Sequence, residues 1–126
     1  MLRVVHFEIG ADDPDRATRL YKTVFGWQVS KWEGPIEYWL IKTGSDTEPG
    51  IDGAIMRRAA PFMATVNAIS VESVTDYQEL VVKHRGQVIM PREAIPGVGY
   101  FAYCQDTEGN TFGIMQDDPS ASVEVK

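Results

Sequence analysis

Residues 1–60 can be laid over residues 61–120, and the overlay keeps its punctuation. A slide of 60 positions puts Gly26 on Gly86, Leu20 on Leu80, Gly53 on Gly113 and His6 on Val66. A chance match of two helix ends would not also align the last strands. The period is too long, and the copies too few, for a solenoid. The chain therefore reads as a duplicated unit. Two such units make one domain over residues 1–119, with modules at about 3–58 and 64–116. A ligand site is expected where two units meet in a concavity.

Each half reads as strand, helix, then three strands. Residues 3–9 alternate, with Val5, Phe7 and Ile9 on one side and Val4, His6 and Glu8 on the other. Asp12 or Asp13 then caps a helix that has Pro14 near its first position. Ala17, Leu20, Tyr21, Val24 and Phe25 recur at helical spacing, and Gly26 stops the helix. Strands are expected over 27–33, 37–43 and 51–57, with a turn at Gly34-Pro35 and a loop over 44–50. Residues 59–61 read as a linker. The second half gives a strand over 64–71, then a helix over 73–84 capped by Ser73 and closed by Gly86. Strands over 87–91, 99–105 and 111–116 follow. The last two form a hairpin in which Asp106 opens a type I turn and Gly109 takes the positive φ that closes it. Residues from Asp117 onward lack an apolar period, and 120–126 are expected to be a loose tail.

A formal net charge of -6 argues against a surface that tracks phosphates, so nucleic acid is not an expected partner. The single cysteine, Cys104, permits no internal disulfide and no cysteine-rich zinc site, and on a strand it reads as buried packing. No charged leader opens the sequence and no apolar run reaches the length of a membrane span. The expected place is the cytoplasm. The sequence shows no glycine-rich phosphate loop and no Ser-His-Asp arrangement. His84 sits in the last turn of a helix with Lys83 and Arg85, where cations complement the helix dipole. Arg57 and Arg58 end a strand and read as a solvated edge.

With the opening HFEIGADDPDRATRLYKTVFGW, the closing DTEGNTFGIM and the repeat, the chain resembles the vicinal oxygen chelate superfamily. That superfamily includes glyoxalase I, extradiol dioxygenases and bleomycin-resistance proteins. The resemblance implies an α+β fold: two βαβββ modules related by a pseudo-two-fold, with a curved eight-stranded sheet around a cleft and the helices outside. It also implies a homodimer. In metal-using members, the first and last strand of each module carry ligands. Those seats fall here on His6, Gly53, Val66 and Gly113, and only His6 can bind a metal. Catalytic metal sites generally take about three protein ligands. No metal and no other cofactor is expected.

The expected function is that of a glyoxalase-like small-molecule binder whose family metal site is largely lost. Its ligand would be an apolar or aromatic metabolite or antibiotic. One alternative is a lyase or isomerase using His6 as acid or base, with Glu8 orienting it or itself the base. Another is a non-catalytic interaction module. The bland alternative for His6 is a structural histidine bonded within the cleft. Gly53, Val66 and Gly113 would widen the cleft, or else mark close approach of the backbone. Tyr100 and Tyr103 are ligand-binding candidates, though they lie on opposite faces of one strand. Met115 shares the face of Gly113, whereas Met56 opposes Gly53, so Met115 is the better pocket residue. Trp27, Trp32, Trp39 and Tyr38 read mainly as core or interface.

Overall fold

The computed structural model describes residues 2–34, 36–58, 60 and 63–122. The expected turn at Gly34-Pro35, the linker over 59–61 and the last four residues of the tail lie wholly or partly outside them. Contacts divide the chain into two compact units. One is Val5–Val66; the other comprises the described residues of Asn67–Lys126 with those of Met1–Val4.

The first unit holds β1 (Val4–Ala11), α1 (Pro14–Phe25), β2 (Gln28–Lys31), β3 (Tyr38–Lys42) and β4 (Gly53–Arg57). Its sheet runs β2-β3-β4-β1, with β1 and β4 parallel and the other neighbours antiparallel. Asp13 caps α1: its side chain accepts from the Arg16 N–H, and Pro14 occupies the first turn, where a missing N–H costs nothing. Gly26 ends the helix in the left-handed region, φ 72°. One sheet face packs on the helix. Ala11, Ile41 and Ile55 are buried there, with Phe7, Ile9, Trp39 and the helix residues Ala17 and Tyr21 around them.

The second unit repeats the order with β5 (Thr65–Ser70), α2 (Val74–Lys83), β6 (Gln87–Ile95), β7 (Gly99–Gln105) and β8 (Thr111–Asp117). Its sheet runs β5-β8-β7-β6, with β5 and β8 parallel. Val74, Ala102, Cys104 and Ile114 are buried between sheet and helix, supported by Tyr77, Val81, Val88, Tyr100 and Phe112. Eight strands and two helices in this order give the expected α+β fold.

Three details depart from the sequence reading. The helix α2 ends at Lys83, and the left-handed residue after it is Arg85, φ 74°, rather than Gly86. Strand β6 runs on to Ile95, past the point where Pro91 was expected to stop it. Its pairing with β7 shifts register on both sides of Met90, and β6 has a strand on one side only in this unit's sheet. Proline is tolerated at such bulges and edges. Finally, the chain after β8 is held. Ala121 is buried, its carbonyl accepts from the Gly97 N–H, and the Asp118 side chain accepts from both the backbone N–H and the hydroxyl of Ser120. The tail is therefore held at Ser120 and Ala121.

The hairpin joining β7 and β8 is built as its sequence implies. Gly109 has φ 83° and its N–H donates to the Asp106 carbonyl. The Asp106 carboxylate accepts from the backbone N–H groups of Glu108 and Asn110 and from the Asn110 side chain, which holds its pKa below the usual carboxylate value. Among the described residues no helix is long and apolar enough to cross a membrane.

Candidate functional site

In the first unit, pairing and strand alternation sort side chains between the helix-covered face and the opposite, open face. Glu8 is level with Ala54, Gly10 with Met56, Leu40 with Ala54 and Tyr38 with Met56. The open face therefore carries His6 and Glu8 from β1, Ala54 and Met56 from β4, and Tyr38, Leu40 and Lys42 from β3. Gln28 and Ser30 of β2 join them, being level with Lys42 and Leu40.

Three of these side chains form a hydrogen-bonded chain across the sheet. The Tyr38 hydroxyl donates to Glu8 Oε2 at 2.8 Å and lies 2.8 Å from His6 Nε2. Strand β4 lies between β3 and β1. Neighbouring strands stand about 4.8 Å apart, so Tyr38 must reach over β4 to meet its partners. The residue beneath its path is Ala54, whose methyl leaves room. The Tyr38 ring lies nearly parallel to the imidazole, centroids 6.4 Å apart, and takes the edge of Trp32 at 6.1 Å. Glu8 is only 5 % exposed, an unusual position for a carboxylate unless it is hydrogen-bonded. Burial holds the His6 pKa below its ordinary value, against the opposing pull of the Glu8 and Asp52 charges. Burial thus favours the neutral imidazole.

His6 also lines a hollow of about 480 Å³ on this unit, with Gln28, Ser30, Leu40, Lys42 and Asp52 among its other walls; Val29, Ile41 and the expected site residue Gly53, whose side-chain positions face the helix, also border it. That is the size of a small-molecule site. Its lining is mixed rather than apolar. A second hollow, of about 10 Å³, lies among Glu8, Met56, Arg58, Met63 and Val66 and has room for about one water.

The remaining expected site residues fall in several places. Gly53 is level with Phe7 on the helix-covered face. A Cβ there would press on the Phe7 carbonyl and lie 2.6 Å from atoms of its ring. Gly53 thus marks close packing, and the position on β4 that looks toward Glu8 is Ala54. Val66 is buried and lines the one-water hollow. In the second unit Gly113, Met115 and Tyr103 share the face away from α2, and Phe101 joins them, since Tyr103 is level with Gly113 and Phe101 with Met115. A Cβ on Gly113 would lie 2.5 Å from Phe101 Cζ. The missing side chain therefore does not widen a cleft; an aromatic ring fills its place. Tyr100 is on the opposite face, against the α2 core, with the Arg92 guanidinium 3.8 Å from its ring centre. It leaves the candidate set.

Sequence reasoning passed over Gln28, Ser30, Leu40, Lys42 and Asp52 of the hollow, and also Tyr38 and Phe101. Tyr38 and Phe101 correspond: each is level with a methionine, Met56 or Met115, two residues before the partner of a small residue, Ala54 or Gly113, and the Phe101 ring covers Gly113. The signal was a strand aromatic placed two residues before the small residue's partner, which becomes visible only once the strand register is known.

The residues do not suit a divalent metal. The imidazole and the carboxylate are both engaged by Tyr38, and Ala54, Val66 and Gly113 offer no donor atom. Among the described residues no three His, Cys, Asp or Glu side chains cluster closely enough to hold an ion. Arg57 and Arg58 are occupied as well. Arg57 bonds the Asp12 carbonyl and Glu37, while Arg58 bonds the Gly10 carbonyl and pairs with Asp12. Cys104 is fully buried, and burial pushes its thiol up to about 11, which removes it as a nucleophile at neutral pH.

Residues 3–44 match the family described as Bleomycin resistance protein-like N-terminal. No curated protein matches the chain. Among solved structures, methylmalonyl-CoA epimerase from Streptomyces coelicolor, in complex with 2-nitronate-propionyl-CoA, is similar at 14 % identity and TM-score 0.67, over 100 % of this chain and 99 % of that one. A hypothetical protein from Bacillus halodurans C-125 is similar at 14 % identity and TM-score 0.68, over 95 % of this chain and 97 % of that one. Methylmalonyl-CoA epimerase from Mycobacterium tuberculosis is similar at 11 % identity and TM-score 0.63, over 94 % and 88 %. What is shared at this identity is the fold, and it is the vicinal oxygen chelate fold.

Proposed function

We propose that this chain binds a small organic molecule without a metal, on the open face of the first unit beside His6. The observation that carries the reading is the His6–Tyr38–Glu8 chain. It holds a neutral imidazole at the wall of a hollow large enough for a small ligand, and it engages the two groups that could have bound an ion. Proteins of the bleomycin-resistance-like class bind small molecules and often form dimers, which supports the binding reading and a homodimer. Leu40 would take the apolar or aromatic body of a metabolite or antibiotic. Gln28, Ser30 and His6 would fix its polar end. On the second unit, Phe101, Tyr103 and Met115 offer an aromatic surface of their own, the two rings 4.9 Å apart.

The test is a thermal-shift and calorimetric screen of small aromatic and apolar molecules in the presence of EDTA. At least one should bind saturably, and His6→Ala should weaken it about tenfold, the worth of one good hydrogen bond. A screen without binders, or binding that requires added metal, would refute the proposal.

A second reading is proton transfer, favoured by the same chain. A base held by a third group is the usual arrangement in acid–base catalysis. Here Tyr38 holds His6, and Glu8 holds Tyr38. The expected sign is deuterium exchange into a bound carbon acid in D₂O that stops in His6→Ala. Exchange that continues unchanged in that variant would remove the idea.

A further inference from the structure

We infer that Tyr38 fixes His6 as a hydrogen-bond acceptor toward the hollow, so that the site takes neutral ligands carrying an O–H or N–H donor on an apolar body. The inference deepens the binding reading above and rests on it.

It follows from counting protons. Tyr38 has a single hydroxyl proton. That proton goes to Glu8 Oε2, which accepts from the hydroxyl 2.8 Å away. The phenol oxygen is then the acceptor in its 2.8 Å contact with His6 Nε2, and Nε2 carries the hydrogen. A neutral imidazole has one N–H, which leaves Nδ1 with its lone pair. Among the described residues, the ring's hydrogen bond is the one from Nε2 to Tyr38. The tautomer is imposed from β3 by Tyr38, a positioning residue, with Glu8 setting the phenol in turn.

The walls of the hollow agree with a neutral donor ligand. Leu40 is apolar, and Gln28 and Ser30 are polar but uncharged. The two charged side chains in the lining are Lys42, already paired with Asp46 at 3.0 Å, and Asp52. That balance does not favour an anion. The smallest probe with the required chemistry is phenol. Anisole is the same body with its donor blocked by a methyl group.

The experiment uses the full chain labelled with ¹⁵N. Long-range proton–nitrogen spectra at pH 7.5 should show His6 as the Nε2–H tautomer, with His84 assigned through His84→Gln. Phenol should move the His6 Nδ1 resonance saturably, and anisole should bind about tenfold more weakly or worse. In Tyr38→Phe, which keeps the ring and loses the hydroxyl, the tautomers should mix and the preference for phenol should fall toward one. Glu8→Gln is the second variant. Its amide can donate to the phenol oxygen, freeing the Tyr38 proton to turn toward His6, so the tautomer should move toward Nδ1–H. An Nδ1–H or doubly protonated His6 in the unaltered protein would overturn the inference. So would a tautomer unchanged in both variants. Equal binding of phenol and anisole, or binding of neither, would overturn the ligand class, and the binding reading itself would still be judged by its own metal-free screen.

Discussion

A methyl group added at Gly113 would lie 2.5 Å from Cζ of Phe101, and one added at Gly53 would lie 2.6 Å from the Phe7 ring while also meeting the Phe7 carbonyl oxygen. The two glycines look equivalent in sequence, but their obstacles differ. The end of a ring can tilt by some tenths of an ångström, whereas a carbonyl in a strand cannot move without its neighbours. Overpacking a tight site typically costs about 1–3 kcal/mol. Gly113→Ala is therefore expected near the low end, about 1 kcal/mol, and Gly53→Ala near the high end or beyond, about 3 kcal/mol. Urea denaturation of both variants would check the order. Equal losses, or a neutral Gly53→Ala, would contradict the packing described here. Phe101 leans over Gly113 on the face away from α2, so Gly113→Ala would displace that ring. Gly53→Ala would press first on Phe7 in the core between sheet and helix, at a residue that also borders the hollow beside His6.

The helices show why part of the site was legible in the sequence and part was not. Gly26 ends α1 with φ 72°, and Arg85 holds the corresponding left-handed place after α2 with φ 74°. A residue with a Cβ is strained there, and glycine is not. Arg85→Gly should accordingly stabilise the second unit by about 0.5–1 kcal/mol, read as a higher melting temperature. A lower melting temperature would mean that Arg85 makes contacts outweighing that strain. The same comparison corrects the repeat. Glu8 and Ala68 are 60 apart, and each pairs with the small residue of its last strand, Ala54 or Gly113. Yet those two small residues are 59 apart, as are Gly26 and Arg85. One residue has been lost across the helix. A single-residue slip does not change which element a residue belongs to, so the order of strands and helices, the Asp13 and Ser73 caps and the Asp106 turn could all be read from the sequence. It does exchange the two faces of a strand, so Gly53 was placed on the open face when Ala54 belongs there. His6 and Glu8 were readable as a pair because they share one strand at the alternating spacing. Tyr38 was not, because its bonds to them cross a third strand, and a relation of that kind has no local signal.

For the molecule as a whole, the fold leaves the chemistry open, since one scaffold can carry many activities, and the first question to settle is metal. With a formal net charge of -6 the protein will attract divalent cations to its surface at low ionic strength. Such binding is not a site. At about 0.15 M salt the screening length falls to about 8 Å, and surface association should largely vanish, whereas a coordinated ion would remain. Calorimetry with zinc and with manganese at physiological salt is therefore expected to show no one-to-one binding, and EDTA should leave both the melting temperature and small-molecule affinity unchanged. The physical reason lies in Tyr38. To coordinate an ion, His6 Nε2 would have to give up its hydrogen bond and Glu8 its phenol partner, and Ala54 and Val66 would contribute nothing to the shell. Two ligands gained at the expense of a buried network are a poor exchange against the three or more that a catalytic ion generally requires. A tightly held ion that survives salt and disappears in His6→Ala would show that the network opens to admit it, and the site would then have to be read as a metal centre held closed by Tyr38.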